Sequence, residues 1–236
     1  MTNAIVFPKN FDINELTFDS VKKNAMGGNV VYLKYEGHPK IIMQTPVVAA
    51  PFGLSTYTDD KTGAVKYSLD ISFRGMEEDP KVQLFHDKMS DFDNYLMDTA
   101  VSNSKEWFGK KQSKEVVENF YRPLVKPSKD PSKYAPTMKF KIMTKRDGTI
   151  DVDTYDSSRN KVSLQDVLAP GVKLQAIIEV GSVWFVNKTM FGISWKLVQV
   201  KVLPSDKIAG FSFQEDSDAE EEEEAGEEEE YEEEEV

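Results

Sequence analysis

Val65, Tyr67, Leu69, Ile71 and Phe73 alternate with polar residues, so residues 65–73 predict a strand with one buried face. Residues 29–36 and 40–45 are apolar runs on either side of a Gly-His-Pro turn, and they predict a hairpin. Residues 46–63 are rich in Pro, Gly, Thr and Asp and read as a loop, with room for a short strand at 47–50. The period then changes. Val82, Phe85, Met89, Phe92 and Leu96 are spaced 3, 4, 3 and 4 apart, which predicts an amphipathic helix over 80–103 that opens on Pro80 and covers one side of a sheet. Residues 113–121 predict a second short helix with Ser113 at its N-cap. Pro123, Pro127, Pro131 and Pro136 end helical structure there and make 123–136 a semi-rigid loop.

Strands return beyond this loop. Residues 138–144 and 149–155 flank Asp147-Gly148, a hairpin signal. A short helix is expected at 163–168, followed by two long strands, 173–187 and 190–203, separated by Lys188-Thr189. No internal repeat is visible. Five or more strands with one or two inserted α-helices predict a mainly β fold, an OB-fold-like barrel.

Charge changes the picture at the C-terminus. Residues 215–236 carry 16 acidic side chains and no Lys or Arg, which leaves 25 acids against all 29 bases in residues 1–214. Although the chain as a whole is at −12, it reads as a mildly basic domain, 1–214, followed by an acidic tail, 215–236, with too little apolar surface to fold. Such asymmetry points to nucleic acid. Tyr231 and Val236 are the large apolar groups of the tail and give it some docking character.

The chain has no cysteine and only two histidines, His38 and His86. Disulfides, thiol catalysis, Cys-ligated metals and three-histidine metal sites are therefore excluded. No phosphate-binding loop, dinucleotide fingerprint or serine elbow occurs. Asp151 and Asp153 would share a strand face, and Asp87 and Asp91 a helix face; both pairs read as solvated surface, and the spacing fails as a calcium loop. No catalytic set, cofactor site or metal site is expected. No secretory signal or membrane span is visible.

Residues 105–146 hold twelve bases against four acids, with aromatic residues interleaved. Single-stranded nucleic acid calls for this combination, since cations track phosphates while flat rings stack on bases without reading their edges. The ring candidates are Trp107, Phe108, Tyr121 and Tyr134; the phosphate candidates are Lys110, Lys111, Arg122, Lys139, Lys141, Lys145 and Arg146. On the 138–144 strand Lys139 and Lys141 alternate with Phe140, so either the cations or the ring faces a ligand, not both. Trp184 and Trp195 lie in apolar runs and are expected in the core, with Lys188, Lys196 and Lys201 keeping that region basic.

The run YRPLVKPSKDPSKYAPTMKFKI (121–142), the run VWFVNKTMFGISWKLVQVKVL (183–203) and the acidic terminus together resemble the single-stranded DNA-binding proteins of nucleocytoplasmic large DNA viruses, a viral branch of the phage replication type. The resemblance implies an OB fold that binds single-stranded DNA without sequence preference in replication, recombination and repair, inside the infected cell in a viral replication compartment of cytoplasm or nucleus. It implies a homodimer, and an acidic tail that competes with DNA and contacts replication proteins such as polymerase or helicase-primase. The phage type ends in an aromatic residue, whereas here Tyr231 is followed by four glutamates and Val236. Physics supports the competition independently, because a tethered polyanion is present at high effective concentration. Two other readings stay open on the residues: a histone-chaperone-like protein acting through its acidic tail, and a single-stranded RNA-binding module, since stacking and phosphate contacts do not sense the 2′-hydroxyl.

Overall fold

The alternation at 65–73 becomes a strand of a closed barrel and the residue after it, with Leu69, Ile71 and Phe73 fully buried and Lys66 and Asp70 turned outward. A computed structural model describes residues 5–25 and 27–204. The first half contains β1 (Ile5–Val6), β2 (Leu16–Lys23), β3 (Asn29–Tyr35), β4 (Ile41–Gln44), β5 (Val48–Ala50), β6 (Leu54–Thr58) and β7 (Val65–Ser72). Three helices follow, α1 (Pro80–Ser102), α2 (Ser104–Phe108) and α3 (Lys114–Phe120). The second half contains β8 (Tyr121–Arg122), β9 (Val125–Lys126), β10 (Thr137–Ile142), β11 (Asp153–Tyr155), a single turn α4 (Leu164–Val167), β12 (Val172–Val180), β13 (Ser182–Val186), β14 (Met190–Ile193) and β15 (Trp195–Val202).

The sheet order β12–β5–β7–β10–β15 closes on itself through the β12–β15 pairing. Strand β4 continues β5 along the same partner, β12. Pro46 cannot donate at the break between them, and Thr45 bridges it: its amide donates to the Ala176 carbonyl, and its hydroxyl accepts from the Ala176 amide. Counting β4–β5 as one strand, the barrel strands are neighbours in the order 1-2-3-5-4, all antiparallel except the parallel β10–β15 pair. This is a five-stranded Greek-key barrel, and the fold is mainly β and OB-like.

Helix α1 forms where the 3–4 spacing predicts it. Pro80 sits in its first turn, the Asp79 carboxylate caps the Lys81 amide, and Val82, Phe85, Met89, Phe92 and Leu96 are all buried. Three helices, not one or two, are inserted between barrel strands 2 and 3; α2 is the one that periodicity does not announce, being only five residues long. Ser113 precedes α3 as expected, although its side chain makes no capping bond.

A second sheet, in the order β2–β3–β13–β14–β8, grows out of the barrel. Strands β12 and β15 run into it through single residues, Gly181 and Ser194, so each expected long strand serves both sheets. The hairpin expected from 29–36 and 40–45 does not form. The turn is present, with Tyr35 and His38 exchanging backbone bonds, but β3 pairs with β2 and β13 while β4 pairs with β1 and β12. Each strand is instead paired on both sides, β3 in the second sheet and β4 in the barrel sheet, so neither has an edge left for the other. The Asp147-Gly148 turn also forms, yet it is closed by one bridge, Thr144 to Ile150, and β11 pairs with β15. The 46–63 loop contains β6, which lies alongside β7. The acidic tail lies outside the described residues. Among the described residues no helix is long and apolar enough to cross a membrane, and no group of three His, Cys, Asp or Glu could hold a metal ion.

Candidate nucleic-acid interface

In OB barrels oligonucleotides lie across strands 2 and 3, between the loop joining strands 1 and 2 and the loop joining strands 4 and 5. Here those strands are β7 and β10. Their inward residues fill the barrel, with Phe140 fully buried, so the cations are what this face presents: Lys66, Lys139 and Lys141. Register places Ser55, Ser68, Lys141 and Lys196 in one row across β6, β7, β10 and β15. Residues in register share a face, so Lys141 and Lys196 stand side by side.

Their electrostatics differ. Lys139 is neutralised by Asp70 and also donates to the Ser68 hydroxyl. Lys196 is 3.8 Å from Glu179, a carboxylate that Lys40 holds more closely at 3.0 Å. Lys66 reaches Asp59 at 3.5 Å and lies 6.0 Å from the centre of the Tyr57 ring. Lys141 has no carboxylate partner among the described residues. Partial burial first, then the positive charges of Lys196 and Lys66, pull its ammonium below the ordinary lysine value. A group strained in this way gains from a phosphate placed between the three lysines.

The strand 1–2 connection supplies exposed rings: Phe52 is 64% exposed and Tyr57 is 59% exposed. Tyr57 is directly across from Lys66, so a base stacked on it would have a cation at its backbone. The signal for Lys66 was present in the 65–73 alternation. Tyr57 carries no comparable signal, because β6 lies inside a stretch with turn composition.

The predicted site residues separate into six places. Trp107, Phe108 and Tyr121 are buried at 2%, 4% and 5% exposure. They form an aromatic cluster with Phe185 and Phe191 beneath the second sheet, and a ring closed in on both faces offers nothing to a base. Those three ring assignments are corrected. Tyr134 is the exception, at 68% exposure in the loop before β10. Lys139 and Lys141 are on the barrel face, while Lys145 and Arg146 form an exposed turn after β10. Arg122 lies on the second sheet, and Lys110 and Lys111 follow Gly109, over which the Lys188 ammonium sits. Of the tryptophans expected in the core, Trp195 is fully buried and Trp184 is only partly so.

Tyr121 has a structural task. Its hydroxyl donates to the buried carboxylate of Asp93 on α1, which also accepts from the amides of Leu124 and Val125. Burial raises Asp93 against the lowering effect of these donors, and burial together with the Asp93 charge raises Tyr121. The pair fastens the β8–β9 segment to α1.

No curated protein sequence matches the chain. Among solved structures it is similar to gp2.5, a single-stranded DNA-binding protein encoded by bacteriophage T7, at 15% identity and a TM-score of 0.48, covering 74% of this chain and 98% of that one. It is similar to the single-stranded DNA-binding protein from bacteriophage Enc34 at 15% identity and a TM-score of 0.43, covering 86% and 99%. The same Enc34 protein in complex with single-stranded DNA gives 12% identity and a TM-score of 0.41, covering 81% and 98%. A family model matches residues 74–215, which span the helical insertion, barrel strands 3 to 5 and most of the second sheet, and the chain therefore belongs to a family of unknown function, DUF5871.

Proposed function

We propose that this protein binds single-stranded DNA without sequence preference across the outer face of β7 and β10. One observation carries the reading: Lys66, Lys141 and Lys196 converge on that face with too little carboxylate to neutralise them, beside the exposed ring of Tyr57. Cations that follow a backbone and rings that stack without reading edges give affinity with little sequence preference. Residues 1–214 form the binding domain in this reading, and the tail, 215–236, competes with DNA for the basic face. The wider role belongs to the same reading. The protein acts as a non-enzymatic component of viral DNA replication, recombination and repair, works as a dimer, and contacts replication proteins through its tail.

The test is fluorescence anisotropy of a labelled oligo-dT titrated with residues 1–236 and with residues 1–214, each at low and at physiological salt. Tight binding that weakens steeply with salt, strengthens on tail removal and drops at least 10-fold in Lys66→Ala/Lys141→Ala/Lys196→Ala is expected. Binding by neither chain would overturn the reading. An oligo-U titration in parallel separates DNA from RNA preference.

A further inference from the structure

The outer face of the second sheet is unusual for a solvated surface. Register sets Lys22, Val30, Trp184, Gly192 and Arg122 in one row across all five strands, β2, β3, β13, β14 and β8. The Trp184 indole packs against Gly192: a Cβ there would come within 2.7 Å of Cζ2 of the indole and 3.0 Å of the Arg122 carbonyl. The indole nitrogen donates to the Ser194 hydroxyl at 2.9 Å, which fixes the ring in this pose. A tryptophan packed against a glycine, pinned through its nitrogen and still partly exposed, is a preformed platform.

The surroundings complete the surface. Tyr32, 41% exposed, stands opposite Ser182, one diagonal step from Trp184, about 7–8 Å away. The Lys22 ammonium is 5.7 Å from the Tyr32 ring centre. Lys22 and Lys34 share one carboxylate, Asp19, at 3.1 and 2.9 Å. Arg122 donates from Nη1 to the carbonyls of Asn119 and Tyr121 and has no carboxylate partner among the described residues. Three cations face one anion: Lys22 and Arg122 stand at the two ends of the row with the indole at its centre, and Lys34 lies outside the row, on β3 beside Asp19.

We propose that this face is a second contact surface for single-stranded DNA, with Trp184 and Tyr32 stacking on bases and Lys22, Lys34 and Arg122 holding phosphates. It extends the reading of the barrel face and rests on it. A second copy of the chain fits less well, because a two-fold interface sets the patch against itself and would bring like charges together.

The sequence supplies its own probe. The chain has three tryptophans; Trp107 is 2% exposed and Trp195 is fully buried, so a change in indole emission on DNA binding reports Trp184. Full-length protein is titrated with oligo-dT while intrinsic emission and the anisotropy of a labelled strand are followed together. Emission quenched in step with anisotropy is expected, with that quenching lost in Trp184→Phe while binding persists. Trp184→Ala and Tyr32→Ser should each weaken binding of a long oligo-dT by about 10-fold. Tyr32→Ser guards against misfolding of the tryptophan variant, because Tyr32 is outside the core, and thermal melts of both variants check the fold. Anisotropy that rises with emission unchanged would overturn this surface and leave the barrel reading intact. An anisotropy that never rises would overturn the barrel reading first. Trp184 shielded from acrylamide in a concentration-dependent way without DNA would assign the face to a second copy instead, and overturn the proposal.

Discussion

Lys141 of β10 and Lys196 of β15 are direct partners in a parallel register, two ammonium groups side by side on the outside of the barrel although 55 residues separate them in sequence. Replacing Lys141 by Met keeps the aliphatic stem and removes one like charge. The variant is expected to be as stable as wild type or up to about 0.5–1 kcal/mol more stable, and to bind oligo-dT more weakly, with a log–log salt slope shallower by about 0.7. Urea denaturation and anisotropy measure the two effects. An unchanged salt slope would remove Lys141 from the interface.

The same lysine gives a pH dependence. Its folded value lies below that of the unfolded chain, so the folded protein releases this proton first. The stability it costs is therefore recovered as pH rises through the folded value towards 10.5, that of an ordinary lysine. DNA affinity moves oppositely, falling over that range as the charge is lost. Lys141→Met should flatten both trends.

Tyr121→Phe removes one of the donors to buried Asp93. The expected cost is about 1–3 kcal/mol of unfolding free energy, with oligo-dT affinity unchanged for the folded protein. Loss of affinity without loss of stability would return Tyr121 to the binding surface. Asp93 also carries a sign. Its folded value is raised, so the stability it contributes is fully present below the unfolded carboxylate value of about 4 and is lost as pH rises through the folded value. Relative to Asp93→Asn, wild type should lose stability with rising pH, measured by melts across a pH series.

The β13–β14 hairpin turns on Asn187 and Lys188, with φ of 51° and 56° and a bond from the Thr189 amide to the Val186 carbonyl. Lysine in the left-handed region is strained, and a turn with both central residues at positive φ favours glycine there. Lys188→Gly is expected to add about 1 kcal/mol, a rise of roughly 2–4 °C in melting temperature for a chain of this size.

Gly192→Ala tests the packing under Trp184. The added methyl meets the indole and the Arg122 backbone, so a loss of about 1–3 kcal/mol is expected, with a shift in tryptophan emission as the ring lifts. Unchanged stability and emission would mean that the ring does not need the contact with Gly192.

Local pattern settled what local physics controls. The 3–4 spacing from Val82 to Leu96 forces an apolar stripe onto one side of a helix, and that stripe is buried. The alternation over 65–73 picks out Leu69, Ile71 and Phe73 as inward-facing, although Val65 at its start is exposed, and a charge split between residues 1–214 and 215–236 is legible from composition alone. Partner choice was not local. Residues 29–36 and 40–45 look like a hairpin until strands some 140 residues further along take both of them. Trp107 and Phe108 look like stacking rings in a basic stretch until the second sheet covers them. The lysine row on the barrel and the row through Trp184 exist only because barrel closure and sheet order bring distant strands into register. Periodicity tells each element which face to bury; only the folded sheets decide against which neighbour, and so which rings and charges are left outside.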